Sequence, residues 1–286
     1  MRKRNKKAPT KSIHEQFPWD LKIKPSDILA ERSQVDQPVE IVISAYKENV
    51  SALINLIDQI EWDHSPKITV YCKHPDQQYE GCIHVPNYGT EEFAYLLHIL
   101  RHGYDTNPGT LANVTIFVQA NIHNHRENRA SRFTKSPFGR ILRKSSTKTV
   151  RSQWEGFSGF RRKSFNDDFT LQEYRSMIGG GNQMLCMPNA THLGDWFQSI
   201  GGSLEHAHCT GVSYLGTMSV RRDRILRHDR SVYQKMLEEV ERCSQRSLSD
   251  ETGGPKNAFL AGHFIERSWR PLFSDENVRG RERCDS

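Results

Sequence analysis

The chain contains no apolar run approaching the ~18 residues that a membrane-spanning helix requires. Hydrophobic residues make up only 36% of its 286 positions, which describes a soluble protein with a modest core and a wet periphery. The start "MRKRNKKAPTK" is basic but leads into "SIHEQFPWDLKIK" rather than into an apolar signal-peptide core. A cytoplasmic location is the resulting expectation, and the sequons at Asn49, Asn113 and Asn189 gain no weight from it. Cysteine is sparse as well. Cys72, Cys82, Cys186, Cys209, Cys243 and Cys284 are scattered without a Cys-x-x-Cys pair. That argues against a zinc knuckle and, in so long a chain, against a disulfide framework, so buried thiols are expected.

Acidic residues are scarce in two stretches. The first eleven positions hold Arg2, Lys3, Arg4, Lys6, Lys7 and Lys11, and Arg126–Lys163 carries twelve Lys or Arg against only Glu127 and Glu155. Such blocks attract polyanions, from phosphate groups to nucleic acid. Residues 1–37 lack sustained periodicity and read as a disordered basic arm, through which nucleic acid is a candidate partner.

Regular structure begins at "VEIVISAY", a β-branched run of strand length. Val50, Leu53, Ile54 and Ile57 then repeat at i, i+3, i+4, i+7, the apolar stripe of a helix. "ITVYC" and the short "IHV" read as strands, and "PNYGTEEF" as a turn into a second helix, capped by Gly89 or Thr90 and striped by Phe93, Leu96, Leu97 and Leu100. "VTIFV" (Val114–Val118) lacks polar alternation, as a strand buried on both faces would. The order β-α-β-β-α-β predicts a three-layer α/β fold, with a mixed, mostly parallel sheet and flanking helices. Residues 126–212 read as an irregular basic and Gly-rich insert, apart from a short helix at "DWFQSI". "SYLGTMSVRRDRIL" is a strand running into a basic turn. Tyr233, Met236, Leu237 and Val240 stripe a third helix, and "AFLAGHFIERSWRPLF" is a last one, ended or kinked by Pro271. The single domain is expected to span 38–275, with a frayed tail at 276–286.

Several of these segments together resemble the DUF3431 family: Ile41–Glu48, Pro86–Ile99, Phe117–His125, Gly216–Ile225 and Glu266–Phe273. The chain departs from the family's usual pattern at Gly89-Thr90-Glu91, at Gln119-Ala120 and at Asn124-His125. The layout is also similar to that of GT-A nucleotide-sugar transferases, which implies a nucleotide-sugar donor, an acceptor and, in many cases, Mn²⁺ or another divalent cation.

In open α/β sheets ligands bind beyond the carboxyl ends of the strands. Ser44, Tyr46 and Glu48 end the first strand; Gln119 and Asn121 end the central one; Asn87 lies in the turn before the second helix. All are candidate substrate-binding residues, with Glu48 alternatively at the start of the first helix. His123 and His125, two apart on an extended segment, are candidate metal ligands, though no Asp-x-Asp pair accompanies them. Without a metal, Arg126 and Arg222 are placed to hold phosphate. Glu266 and His263, at i and i+3 on the last helix, are candidate catalytic groups, and Asp195 is a second candidate base. Three functions compete: a glycosyltransferase with or without a metal, a nucleic-acid or polyanion-binding protein, and a catalytically inactive binding module. Donor sugar, acceptor and oligomeric state are not encoded in these motifs.

Overall fold

A computed structural model describes residues 38–77, 79–105, 110–120, 137–146, 156–157, 161–163, 190, 193–202, 210–212, 216–247 and 258–273. The elements below all belong to the unit Asp36–Ser286.

Strand β1 (Val39–Ala45) is buried at every position, because helices cover both faces of its sheet. Helix α1 (Val50–Ile57) follows, with the side chain of Asn49 accepting from the Ala52 N–H at 3.2 Å. Such a cap contributes about 1 kcal/mol. Glu48 therefore precedes the helix rather than starting it. Its carboxylate accepts from the backbone N–H groups of Tyr46 (2.6 Å) and Lys47 (3.1 Å).

β2 (Lys67–Cys72) and β3 (Ile83–His84) lead to α2 (Glu92–Leu100), which continues as a π-helical turn over Arg101–Asp105. The expected caps of α2 have other roles. Glu91 holds the N-cap position without a side-chain cap bond. Gly89 adopts φ +55°, and a Cβ there would come within 2.6 Å of Val240 Cγ1, so only glycine fits this turn.

With β4 (Val114–Gln119), β5 (Gly156–Phe157) and β8 (Met218–Arg221), these strands form one sheet in the order β3-β2-β1-β4-β8-β5. The first four run parallel; β8 is antiparallel to β4 and to β5. The fold is α/β as expected, but the sheet is mixed rather than mostly parallel. After the long excursion that follows β4 the chain re-enters at the end where β4 left, so β8 runs back along its neighbour. That excursion is also less irregular than its composition suggests. It holds α3 (Pro137–Ser146), β5, β6 (Arg161–Lys163), α4 (Leu193–Ser199) and β7 (Thr210–Val212), with β6 and β7 pairing in a second small sheet.

The two faces of the main sheet carry separate cores. Val39, Ile41 and Ile43 pack with Leu53 of α1 and Leu142 of α3. Val42, Tyr71 and Phe117 pack with α2, with α6 (Arg230–Ser247) and with α7 (Ala258–Phe273). α2 is buried at all nine positions, wedged between the sheet and α6, so the amphipathic reading understates its burial. The expected stripe of α6 is fully inside, Tyr233, Met236, Leu237 and Val240 all being buried. Pro271 does not stop α7, which runs on to Phe273. β8 passes into a short helix, α5 (Arg222–Leu226), where a basic turn was expected.

The cysteines overturn the expectation of free thiols. Cys72 and Cys82 form a disulfide with a Cα–Cα distance of 5.9 Å, Cys243 is also disulfide-bonded, and no described cysteine is free. Cys72 pairs in register with His84, which brings the residue just ahead of β3 within bonding range. Among the described residues, no helix is long and apolar enough to cross a membrane.

Candidate functional site

Along β1, Glu40, Val42 and Ser44 face α2, and the register places Ser44 opposite Gln119 of β4. The expected trio of strands is therefore adjacent, as β2-β1-β4, with common carboxyl ends. Ser44 is buried, and its carbonyl accepts from the Ala120 N–H at 2.9 Å. The side chain of Gln119 donates through Nε2 to Glu91 Oε1.

Glu91 opens onto a group of which the sequence singled out only Glu266. Glu92 is buried and accepts from Thr90 Oγ1. Glu266 is brought in by α7, buried, with Arg267 Nη1 3.5 Å from its Oε2. Lys73, one residue beyond β2 and also buried, donates through Nζ to the carbonyl oxygens of Gly89 (2.9 Å) and Thr90. Tyr95, one turn along α2, is fully buried, and its hydroxyl has no hydrogen-bond partner among the described residues.

Burial raises the Glu91 carboxyl, the nearby Glu266 raises it further, and the bond from Gln119 and the charge of Lys73 pull it back. Glu92 rises well above the ordinary carboxylate range, through burial first and then through Glu91 and Glu266. Burial lowers the Lys73 ammonium to about 8, opposed by the attraction of Glu91, Glu92 and Glu48. The Tyr95 hydroxyl is raised by burial and then by Glu91, Glu92 and Glu266. Carboxyls raised by burial and neighbouring charge are candidates for general acid–base roles.

Two glycines let the elements close on this group. Gly216, just ahead of β8, has φ +55°, and a Cβ on it would strike Glu91 Oε1; a Cβ on Gly262 of α7 would come within 2.7 Å of Thr90 Oγ1.

Around the group lie some of the expected residues. Tyr46 is exposed at 39%, its ring edge-on to His74 with centroids 5.0 Å apart. Glu48 is bound to the backbone beside it, and Gln77 Nε2 donates to the Glu48 carbonyl at 2.8 Å. Asn87 is half-buried between β3 and α2. Asp195 is exposed on α4, whose Trp196 and Phe197 are buried in the core.

Arg222 is not brought to this site. Its backbone N–H donates to the Asn113 carbonyl at 3.0 Å and its guanidinium to the Leu111 carbonyl at 3.3 Å. Both carbonyls lie ahead of β4, at the end of the sheet opposite Gln119. Because β8 is antiparallel to β4, the residues that follow it emerge at the amino ends of the parallel strands. His263 sits on α7, but its side chain falls outside the described residues, as do Asn121, His123, His125, Arg126 and the basic arm. Among the described residues, no group of three His, Cys, Asp or Glu stands in an arrangement that could hold a metal ion. Among the described residues the three carboxylates are not arranged as ligands of the divalent cation implied by the GT-A resemblance.

Glu91, Glu92, Lys73 and Tyr95 escape a reading by sequence because their burial is tertiary. One trace exists. Glu92, Tyr95, His98 and His102 recur at spacings of three, three and four, a polar line along a helix whose other faces are apolar.

These observations define an α/β protein with a buried carboxylate group at the carboxyl ends of its central strands. Residues 41–285 match the family described as "Protein of unknown function (DUF3431)", and the chain belongs to that family. No curated protein and no solved structure matches it.

Proposed function

We propose that the protein is a glycosyltransferase of GT-A-like layout that moves a sugar from a nucleotide-sugar donor to an acceptor hydroxyl, without a metal ion at the carboxylate group. The observation that carries this reading is the meeting of Glu91, Glu92 and Glu266 beside Gln119. They converge where β1 and β4 lie side by side and the chain leaves in opposite directions. Such switch points are where open α/β sheets bind ligands, and the order β3-β2-β1 is that of a mononucleotide-binding half.

In this reading Glu91, only half-buried, is the general base. The acceptor oxygen bonds to the anomeric carbon, the bond from that carbon to the diphosphate breaks, and the acceptor proton passes to Glu91. Burial, and then like-charge repulsion from Glu266, keep Glu91 basic, which strengthens proton abstraction. Gln119 orients the receiving carboxylate. Lys73 fixes the Gly89 and Thr90 carbonyls and with them the start of α2. Tyr46 offers an exposed ring to a base or sugar face.

The test is a thermal-shift panel of UDP-, GDP- and CMP-sugars with and without Mn²⁺, followed by transfer assays on the best donor. A ligand at 100 times its Kd stabilises by about 2.7 kcal/mol, about 5–10 °C in a domain of this size. E91Q should keep that shift and lose transfer. Absence of a shift with every donor would refute the reading. A shift without transfer by the native protein would leave a binding module.

A further inference from the structure

We propose that Asn113 carries an N-linked glycan. The Cys72–Cys82 disulfide and the bonded Cys243 belong to chains that fold in an oxidising compartment, the setting in which Asn-x-Ser/Thr sequons are read. The disulfides thus restore the weight that the sequence withheld from its sequons.

Two sequons are described at their asparagine, and they differ. Asn49 is exposed but lies beyond the carboxyl end of β1, beside Glu48 and the candidate site, and its Oδ1 caps α1. Asn113 is exposed at the opposite end of the sheet. Its carbonyl is held by the Arg222 N–H, and no hydrogen bond to its side chain is found among the described residues. A glycan there projects into solvent without crowding the carboxylate group.

The third residue of this sequon supplies the independent observation. Thr115 is fully buried within β4, and its hydroxyl has no hydrogen-bond partner among the described residues. Glu40, opposite it in register, takes the Thr69 hydroxyl instead, at 2.6 Å. A buried, unpaired hydroxyl destabilises a fold, and valine would fill nearly the same volume without it. The folded state gives the Thr115 hydroxyl no use, whereas recognition of Asn113-Val114-Thr115 requires it before the chain folds. The donor is a lipid-linked oligosaccharyl diphosphate. Asn113 Nδ2 bonds to the sugar's anomeric carbon, the bond from that carbon to the diphosphate breaks, and the amide proton is released to a base.

The full-length protein, isolated from its own cells, is treated with peptide N-glycosidase and mapped by mass spectrometry. The expected results are a drop in mass, conversion of Asn113 to Asp, and loss of both changes in N113Q. T115V should lose the glycan too, yet melt no lower than the deglycosylated native protein, while T115S keeps the glycan. An unmodified Asn113 in the isolated protein overturns the proposal, whether Asn49 is modified or not. So does a T115V protein that still carries a glycan at Asn113.

Discussion

Replacing Glu92 by glutamine should stabilise this protein at neutral pH, although most substitutions at buried positions destabilise. Glu92 is 1% exposed and lies against Glu91 and Glu266, with Lys73 the cation nearest in effect. Burial and the two like charges raise its folded pKa well above the ordinary 4.5. A carboxyl whose folded pKa is raised contributes stability below its unfolded pKa, and that contribution is lost as pH rises through the folded value. The native protein therefore loses up to ~1.4 kcal/mol per pH unit across that window relative to a variant that cannot ionise. Glutamine keeps the shape and the acceptor for Thr90 Oγ1, so near pH 4 the two proteins should differ little. Above pH 4.5 the curves should diverge in favour of E92Q, by about 2–4 °C for each kcal/mol. Urea titrations from pH 4 to pH 8 on both proteins measure this, with E92A as a cavity control that is weaker throughout. Parallel native and E92Q curves would show that Glu92 is compensated in the folded state, and the raised-carboxyl argument would fall with them.

G216A should lower stability by about 1–3 kcal/mol, because the left-handed backbone resists a Cβ and the added carbon strikes Glu91; a melting temperature equal to the native one would contradict the close approach. Removing the Cys72–Cys82 disulfide in the C72S/C82S double variant should cost about 2–3 kcal/mol, from the freed loop between residues ten apart. Urea midpoints that match under oxidising conditions would refute that role.

Much of this architecture is legible in the sequence, for a reason that also sets the limit. β1, β2 and β4 are apolar runs, and α1, α2 and α6 carry stripes at helical spacing; in each case the pattern is the burial itself. Position supplies part of the site as well, since Ser44 and Gln119 end neighbouring parallel strands and Glu266 lies on the helix that returns to them. Arg222 fails because its reading assumes that every strand ends at the same edge, and an antiparallel β8 reverses that. The disulfide fails because ten residues of separation match no motif; only the pairing of β2 with β3 makes the two sulfurs neighbours. "GTEEF" fails most instructively. Two acids in a first helical turn ordinarily face water and favour the helix dipole, and nothing local shows that α6 and α7 will close over them.

The contrast between the two ends of α2 indicates which polar group is structural. At the amino end of the sheet Glu40 is fully buried, and burial alone would raise it. His98 and Lys67 outweigh that, and the carboxyl is held far below its ordinary range. Thr69 donates to it, Lys67 lies 3.4 Å away and His98 3.6 Å, while His98 in turn meets the Tyr71 hydroxyl at 3.2 Å. This is a charge-compensated network that ties α2 to the sheet. At the carboxyl end the same helix meets three carboxylates, and the buried Lys73 only partly offsets their repulsion. Equal burial thus gives opposite shifts, and the difference is the supply of positive charge. A fold that needed only to anchor α2 would gain from repeating the first arrangement at the second end, for instance by a neutral residue at position 92. That it holds acids which Lys73 only partly offsets beside the strand ends, with the buried Tyr95 on the same helix, is the reason to look for chemistry there.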